Sequence, residues 1–275
     1  MTNRPILFSG PMVRALLDGR KTQTRRDLTK TFARYPQLEG YETNGTLKPI
    51  DGRSVPCVEF VHSNLGLWHP EENPSGRSGW YVPLKAAVGD RLWVKESWWI
   101  ATMYSYGTTP GGCEISPPPL AHRKRDPVHY DADGNPPNVG NRTYGPEGLR
   151  GGSFAAPDPY AVWLKKPSIH MPRWASRLTL IVTEVRVERL QDISEADAIA
   201  EGIERHHSGW MPYSTAFYEA DGVTPANYHV DPRESYRSLW NKINGFGAWE
   251  ANPWIAAYTF TVIKQNIDQI EKVAA

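Results

Sequence analysis

The sequence predicts an α+β fold, a mixed β-barrel with short rim helices and long loop insertions. Three observations indicate this class. Strand-like alternation occurs near both ends of the chain, the helical patterns are short, and two long stretches rich in Pro, Gly and aromatic residues lack sustained periodicity. Strands that come from distant parts of a chain and share one sheet favour a closed or nearly closed barrel.

The first residues predict a strand followed by a short helix. Residues 5–8 are apolar and precede a Gly-Pro pair, as expected of a short buried strand. Apolar residues then recur at helical spacing over residues 12–17. Gly19 suits the position just past a helix, where a left-handed backbone is common. We therefore expect the helix to end at Gly19.

A polar run over residues 20–26 follows this helix and holds one lysine, two threonines and three arginines. Such a composition is typical of a site that binds anions or carries a nucleophile. The alternation also predicts a strand, on which Lys21 and Thr24 point to opposite faces unless the turn after Gly19 rotates Lys21. The alternative is a basic edge strand that discourages aggregation.

The spacing of this run resembles the signature of a known superfamily. Gly19-x-Lys21-x-x-Thr24-x-Arg26 matches the pattern Gly-x-Lys-x-x-Glu-x-Arg of ASCH domains, small β-barrels related to PUA RNA-binding domains, with Thr24 in place of the glutamate. With threonine at this position, the motif resembles that of the branch that contains a small bacterial amidohydrolase of N4-acetylcytidine. This resemblance implies catalytic roles for Lys21 and Thr24. Residues 5–13 also resemble ASCH-like proteins of phages and prophages.

The same resemblance implies a catalytic glutamate near the end of a later helix. Ser194 and Asp197 form a variant of the capping box, and the helix that they begin should run to Gly202 with Glu201 as its last residue. A carboxylate there faces the negative end of the helix dipole, which costs roughly 0.3–1 kcal/mol when exposed. Residues 193–203 resemble the helix that carries the amidohydrolase glutamate, which implies Glu201. An ordinary surface glutamate is the alternative.

Four further patterns complete the predicted scaffold. They are a strand over residues 88–99, a long strand over residues 178–190 with a phase shift near Thr183 and Glu184, an amphipathic helix over residues 235–243 ending near Gly245, and a closing strand over residues 253–264. The phase shift suggests a bulge or a barrel bend.

These elements predict one elaborated ASCH-like domain over residues 1–275. Its core pieces are residues 5–27, 88–100, 177–204 and 253–264, and its insertions are residues 30–87, 101–165 and 205–232. The resemblance covers only the core pieces. The aromatic content of the first two insertions indicates loops that pack on the barrel, because disordered segments are usually poor in aromatic residues.

Several cations and tryptophans are candidates for substrate binding. Residues 165–177 combine cations with a histidine and a tryptophan, which suits phosphate pairing and base stacking. A tethering segment with Trp174 in the core and Arg173 in solvent is the alternative. The candidate substrate-binding residues are Arg20, Arg26, Arg173, Trp174 and Trp98.

Composition limits the classes of partner and cofactor. A formal net charge of +1 argues against a general polyanion-coating protein. Two cysteines without CxxC spacing give neither a zinc site nor a disulfide framework, and the adjacent His206 and His207 lack further ligands at metal spacing. We expect no metal and no other cofactor. The lack of a signal peptide or an apolar span predicts a cytoplasmic protein, in the host cytoplasm if it is phage-encoded.

The expected function is hydrolysis of an acyl-amide on a modified nucleoside or a nucleic-acid base. In this reading Lys21, Thr24 and Glu201 are catalytic and the partner is a modified nucleoside or single-stranded nucleic acid, with no membrane. The alternatives are a non-catalytic RNA- or DNA-binding module and a metal-independent ribonuclease. An inhibitor of host defence is also compatible with the sequence.

Overall fold

The computed structural model describes residues 2–28, 41–42, 47–48, 57–62, 80–103, 127–140, 154–157, 161–213 and 227–273. The fold is mixed α+β, with a curled half-barrel sheet and few short helices. This agrees with the predicted α+β barrel-like class. The remaining parts of the two long insertions, and with them the prediction that the insertions pack on the barrel, lie outside the described residues.

The strands and helices follow one another along the chain. The strands are β1 (Asn3–Leu7), β2 (Gln23–Asp27), β3 (Tyr41–Glu42), β4 (Leu47–Lys48), β5 (Cys57–His62), β6 (Trp80–Pro83), β7 (Arg91–Lys95), β8 (Trp98–Met103), β9 (Val128–Tyr130), β10 (Phe154–Ala155), β11 (Ala161–Lys166), β12 (Thr179–Arg189), β13 (Arg205–His206), β14 (Gly209–Trp210) and β15 (Trp254–Ile263). The helices are α1 (Gly10–Leu17), α2 (Glu195–Ala200), α3 (Pro232–Asn244) and α4 (Ile267–Val273).

The strand that carries the candidate site is an edge strand of the largest described sheet. That sheet has the order β1-β7-β12-β15-β2, so β1 and β2 are at its two ends. The predicted closed barrel is therefore a half-barrel in the described residues. Strand β2 pairs antiparallel with β15, with Thr24 opposite Tyr258 and Arg26 opposite Ala256. Strand β12 has two consecutive exposed residues, Thr183 and Glu184, where the phase shift is predicted.

The two long insertions contain strands, which corrects their interpretation as loops. Strands β3 and β4 both pair with β5, which also pairs with β6. A second sheet has the order β10-β11-β8-β9, and β13 pairs with β14 inside the third insertion. Most of these strands span two to six residues, which is too short for sustained alternation. Likewise the single strand predicted over residues 88–99 is two strands, β7 and β8.

The helix predicted over residues 235–243 begins earlier, at Pro232. The Asp231 side chain caps it by accepting a hydrogen bond from the Arg233 backbone N–H, and proline is well suited to the first helical position. The helix ends at Asn244, before Gly245 as expected. No helix in the described part of the chain combines the length and the apolar run needed to cross a membrane.

The chain divides into two compact units. The first comprises Met1–Arg4, Ala15–Leu92 and Leu180–Val262, and it contains β2, α2, α3 and β15. The second comprises Pro5–Arg14, Trp93–Thr179 and Ile263–Ala275. A single domain over residues 1–275 stays a prediction.

Candidate active site

Lys21 and Glu201 form a buried ion pair in the first unit. The Lys21 Nζ donates to Glu201 Oε2 at 2.7 Å and to the Glu201 backbone oxygen at 2.8 Å. Both side chains are almost completely buried. The structure thus brings together two of the three predicted catalytic residues, which are 180 positions apart in the sequence.

The backbone around Gly19 brings Lys21 to the end of α2. Gly19 has a left-handed φ of 75°, and after it the Lys21 N–H donates to the carbonyl of Ala15 while the Thr22 N–H donates to that of Ala200. Lys21 and Glu201 form an isolated antiparallel bridge, and regular pairing of β2 begins only at Gln23. Lys21 is therefore outside the regular strand, so strand alternation does not set the direction of its side chain.

Glu201 is the C-cap residue of α2, one position past Ala200, whereas the sequence predicted it as the last helical residue. The Ser194 side chain caps the start of this helix by accepting from the Asp197 N–H, as predicted, and Glu201 keeps helical dihedral angles just past the last helical residue. Gly202 then takes a left-handed φ of 86°. The carboxylate that opposes the helix dipole is balanced by the Lys21 ammonium, which explains why glutamate is tolerated at this position.

Burial lowers the pKa of Lys21 below its ordinary value. Glu201 opposes this effect by its charge and its hydrogen bond, while the positive charges of Arg26 and Arg25 add to it. The net direction is downward, so the neutral amine forms more readily than in a solvent-exposed lysine. A lysine in this state can accept a proton in a general-base step.

Arg25 holds the other side of the Glu201 carboxylate. Its Nη1 lies 3.2 Å from Glu201 Oε1, and its Nη2 lies 2.8 Å from Glu188 Oε1 and 3.3 Å from Asp197 Oδ2. The Gln23 side-chain oxygen accepts a further hydrogen bond from Arg25. Burial acts against the charge of Arg25, but Glu201 and nearby acidic groups outweigh it and raise its pKa. Arg25 is therefore a permanent cation enclosed by three carboxylates.

Thr24 and Arg26 share one face of β2, as alternation requires, and Gln23 and Arg25 share the other. Thr24 is buried and lies opposite Tyr258 of β15. Burial lowers the pKa of Arg26, against the opposing influence of Glu201 and two tyrosines. Thr24 is thus a buried residue of β2, and its catalytic role stays a prediction.

Tyr236 of α3 gives the site a test in alkaline solution. It is fully buried, and burial together with the negative charge of Glu201 raises its pKa well above 10. Above that pH the unfolded chain loses this proton and the folded chain keeps it, so the free energy of unfolding should fall by up to about 1.4 kcal/mol per pH unit. Tyr236→Phe should make this fall shallower in urea unfolding curves recorded at about pH 9–11. Equal slopes would contradict the assignment.

Arg20 lies at the exposed edge of this site. It pairs with Asp18 at 3.0 Å and donates to the Gly202 carbonyl at 2.9 Å. This second contact supports the turn after Glu201. A contact between Arg20 and the substrate stays a prediction.

The other predicted substrate-binding residues belong to the second unit. Trp98 is 0% exposed, with the Trp174 ring edge-on at 6.2 Å between centroids. A base could stack on Trp98 only if its neighbours moved, so in this structure Trp98 is a core residue. Arg173 pairs with Asp268 at 2.5 Å. Roles for Arg173 and Trp174 in substrate binding stay predictions.

The described residues include no group of three or more His, Cys, Asp or Glu arranged to hold a metal ion. The rings of His206 and His207 lie next to each other, with their centroids 3.8 Å apart. The His206 ring also stacks on Tyr228 at 4.4 Å. This pair is thus part of an aromatic stack.

Four residues were not predicted from the sequence as members of this site: Arg25, which binds Glu201, then Glu188 and Asp197, which bind Arg25, and Tyr236. The only available signal was the alternation of β2, which puts Arg25 and Gln23 on one face. No protein-family model, curated protein or solved structure matches the chain. The candidate site therefore rests on its own geometry and on the motif of residues 19–26.

Proposed function

We propose that the protein is an amidohydrolase that removes an acyl group from an N-acylated nucleoside or nucleic-acid base such as N4-acetylcytidine. The observation that carries this proposal is the buried Lys21–Glu201 pair, because it couples a carboxylate to a lysine of lowered pKa that lies three positions before the motif threonine in the sequence. We also propose that the half-barrel belongs to the ASCH/PUA-like class. The motif at Gly19 to Arg26 supports this finer assignment.

The proposed reaction needs a nucleophile, a proton acceptor and a group that holds the acceptor. Thr24 Oγ1 attacks the acyl carbonyl carbon, and its proton passes to the neutral Lys21 amine. The C–N bond then breaks, Lys21 returns the proton to the leaving nitrogen, and water hydrolyses the threonine ester to release the acid. If Thr24 instead orients a water molecule, Lys21 takes the proton of that water and no ester forms. Glu201 orients Lys21 in both routes.

Recognition of the substrate would fall to cations around this pair. Arg26 is close enough to Glu201 and Lys21 for their charges to interact, and Arg20 adds a partly exposed guanidinium at the turn. A guanidinium pairs well with a phosphate or with the polar edge of a base. The proposed partner is therefore a modified nucleoside or a base in single-stranded nucleic acid.

Replacing Thr24 with Val separates catalysis from binding. Valine keeps the β-branched shape of this buried residue and removes the hydroxyl, so acetate release from N4-acetylcytidine should fall by ~10²-fold or more while nucleoside binding persists. Acetate release and equilibrium binding are the two measurements. Thr22→Val is the matched control, because Thr22 is exposed and should tolerate the same change. Equal turnover in wild type and Thr24→Val would contradict a role for the hydroxyl.

A further inference from the structure

The Glu201 carboxylate is shared between two cations that use different oxygens. Oε2 accepts from Lys21 at 2.7 Å, and Oε1 lies 3.2 Å from Arg25 Nη1. If Lys21 were its only partner, the whole negative charge of this buried group would favour the protonated amine. A second cation bound to the carboxylate reduces the stabilisation that Glu201 gives to protonated Lys21, because both cations interact with the same negative charge.

Arg25 is itself held firmly in place. Its side chain is 0% exposed, and Glu188 of β12 and Asp197 of α2 bind its Nη2. Tyr236 of α3 also faces it, as a buried group of raised pKa. Both Nη nitrogens of Arg25 already bind carboxylates, so neither is directed at a substrate in this structure. Any influence of Arg25 on chemistry must pass through Glu201 and Lys21.

We propose that Arg25 is a positioning residue, which takes one oxygen of Glu201 and thereby leaves Lys21 free to give up its proton. This inference rests on the proposed function for its catalytic meaning. It assigns to Arg25 a role that neither the motif nor the resemblance assigns, since the motif arginine is Arg26. The contacts with Glu188 and Asp197 keep the Arg25 guanidinium from binding Glu201 alone, so the Glu201 carboxylate stays shared between Lys21 and Arg25.

The direct test measures the titration of Lys21 without any substrate. Protein labelled with ¹³C at the lysine ε carbons gives one NMR signal per lysine, and the Lys21 signal is the one missing from Lys21→Met. Removal of the cation in Arg25→Met should raise the pKa of Lys21. In Arg186→Met the pKa should stay as in wild type. Arg186 is the matched control because it contacts the same Glu188 and Asp197 but is 35% exposed.

An unchanged or lowered pKa of Lys21 in folded Arg25→Met would overturn the proposal. If that variant does not fold, Glu188→Gln gives the second test. It removes a carboxylate that holds Arg25, so more of the Arg25 charge should act on Glu201 and the pKa of Lys21 should fall. An unchanged or raised pKa in Glu188→Gln would overturn the proposal as well.

The same variants give a kinetic readout that a purely structural role would not produce. In Arg25→Met the raised pKa of Lys21 should shift the increase of kcat to a higher pH. The KM measured on the plateau of the pH profile should stay as in wild type. The pH profile of Arg186→Met should match wild type. Because the NMR titration uses no substrate, it tests Arg25 even if the protein releases no acetate, so failure of this inference is separable from failure of the proposed function.

Discussion

Replacing Lys21 with Met should reduce hydrolysis of N4-acetylcytidine by about 10²–10⁴-fold, the range expected when a general base is removed. The protein should still fold, because Glu201 keeps Arg25 as a partner at 3.2 Å and is not left as an uncompensated buried charge. The loss of stability should therefore be smaller than the ~3–5 kcal/mol typical of a broken buried pair. Acetate release and urea unfolding measure the two effects.

Lys165→Met provides the matched control for this substitution. Lys165 also forms an ion pair, with Asp131 at 2.7 Å, but its side chain is about half exposed. It should retain stability close to wild type, since exposed pairs contribute about 0–1 kcal/mol. If folded Lys21→Met kept the activity of wild type, Lys21 could not be the proton acceptor.

Replacing Gly202 with Ala should destabilise the protein by about 2–5 kcal/mol. A side chain at its left-handed φ of 86° costs about 1–2 kcal/mol, and the new Cβ would lie 2.8 Å from Lys21 Cβ and 3.0 Å from Ala15 Cβ. Overpacking of this kind adds about 1–3 kcal/mol. Urea unfolding measures the loss. Because the clash involves Lys21 itself, turnover should fall as well.

Gly19→Ala separates the clash from the backbone cost. Gly19 has a similar φ of 75°, but a Cβ there would have nothing within 4 Å. It should therefore lose only the ~1–2 kcal/mol of the left-handed backbone. Equal losses in the two variants would show that Lys21 and Ala15 do not pack against Gly202 as tightly as the structure indicates.

Local signals allowed the elements around the site to be predicted. Ser194 and Asp197 mark the start of α2, and glycines mark the ends of α1 and α3, because capping depends on residues a few positions apart. The phase shift at Thr183 and Glu184 is visible for the same reason. The short strands of the insertions were missed, since two to six residues carry too little periodicity to distinguish them from loops.

The candidate site could be predicted only in part. The resemblance at residues 19–26 pointed to Lys21 and Thr24 and that at residues 193–203 to Glu201, whereas no local pattern shows that Lys21 and Glu201, 180 positions apart, form an ion pair. The contacts of Arg25 with Glu188 and Asp197 depend on how β2, β12 and α2 come together in three dimensions. The alternation of β2 predicted which face of the strand carries Arg25, but it could not predict which residues Arg25 contacts.

Release of acetate and cytidine from N4-acetylcytidine by the wild-type protein tests the central claim most directly. Liquid chromatography of the products should show equal amounts of the two over many turnovers, and Lys21→Met should show almost none. The contrary result is no acid released from N4-acetylcytidine or other N-acylated nucleosides by the wild-type protein. If RNA binding then fell steeply with salt and on neutralising Arg26 or Arg173, a non-catalytic nucleic-acid-binding module would replace the enzyme.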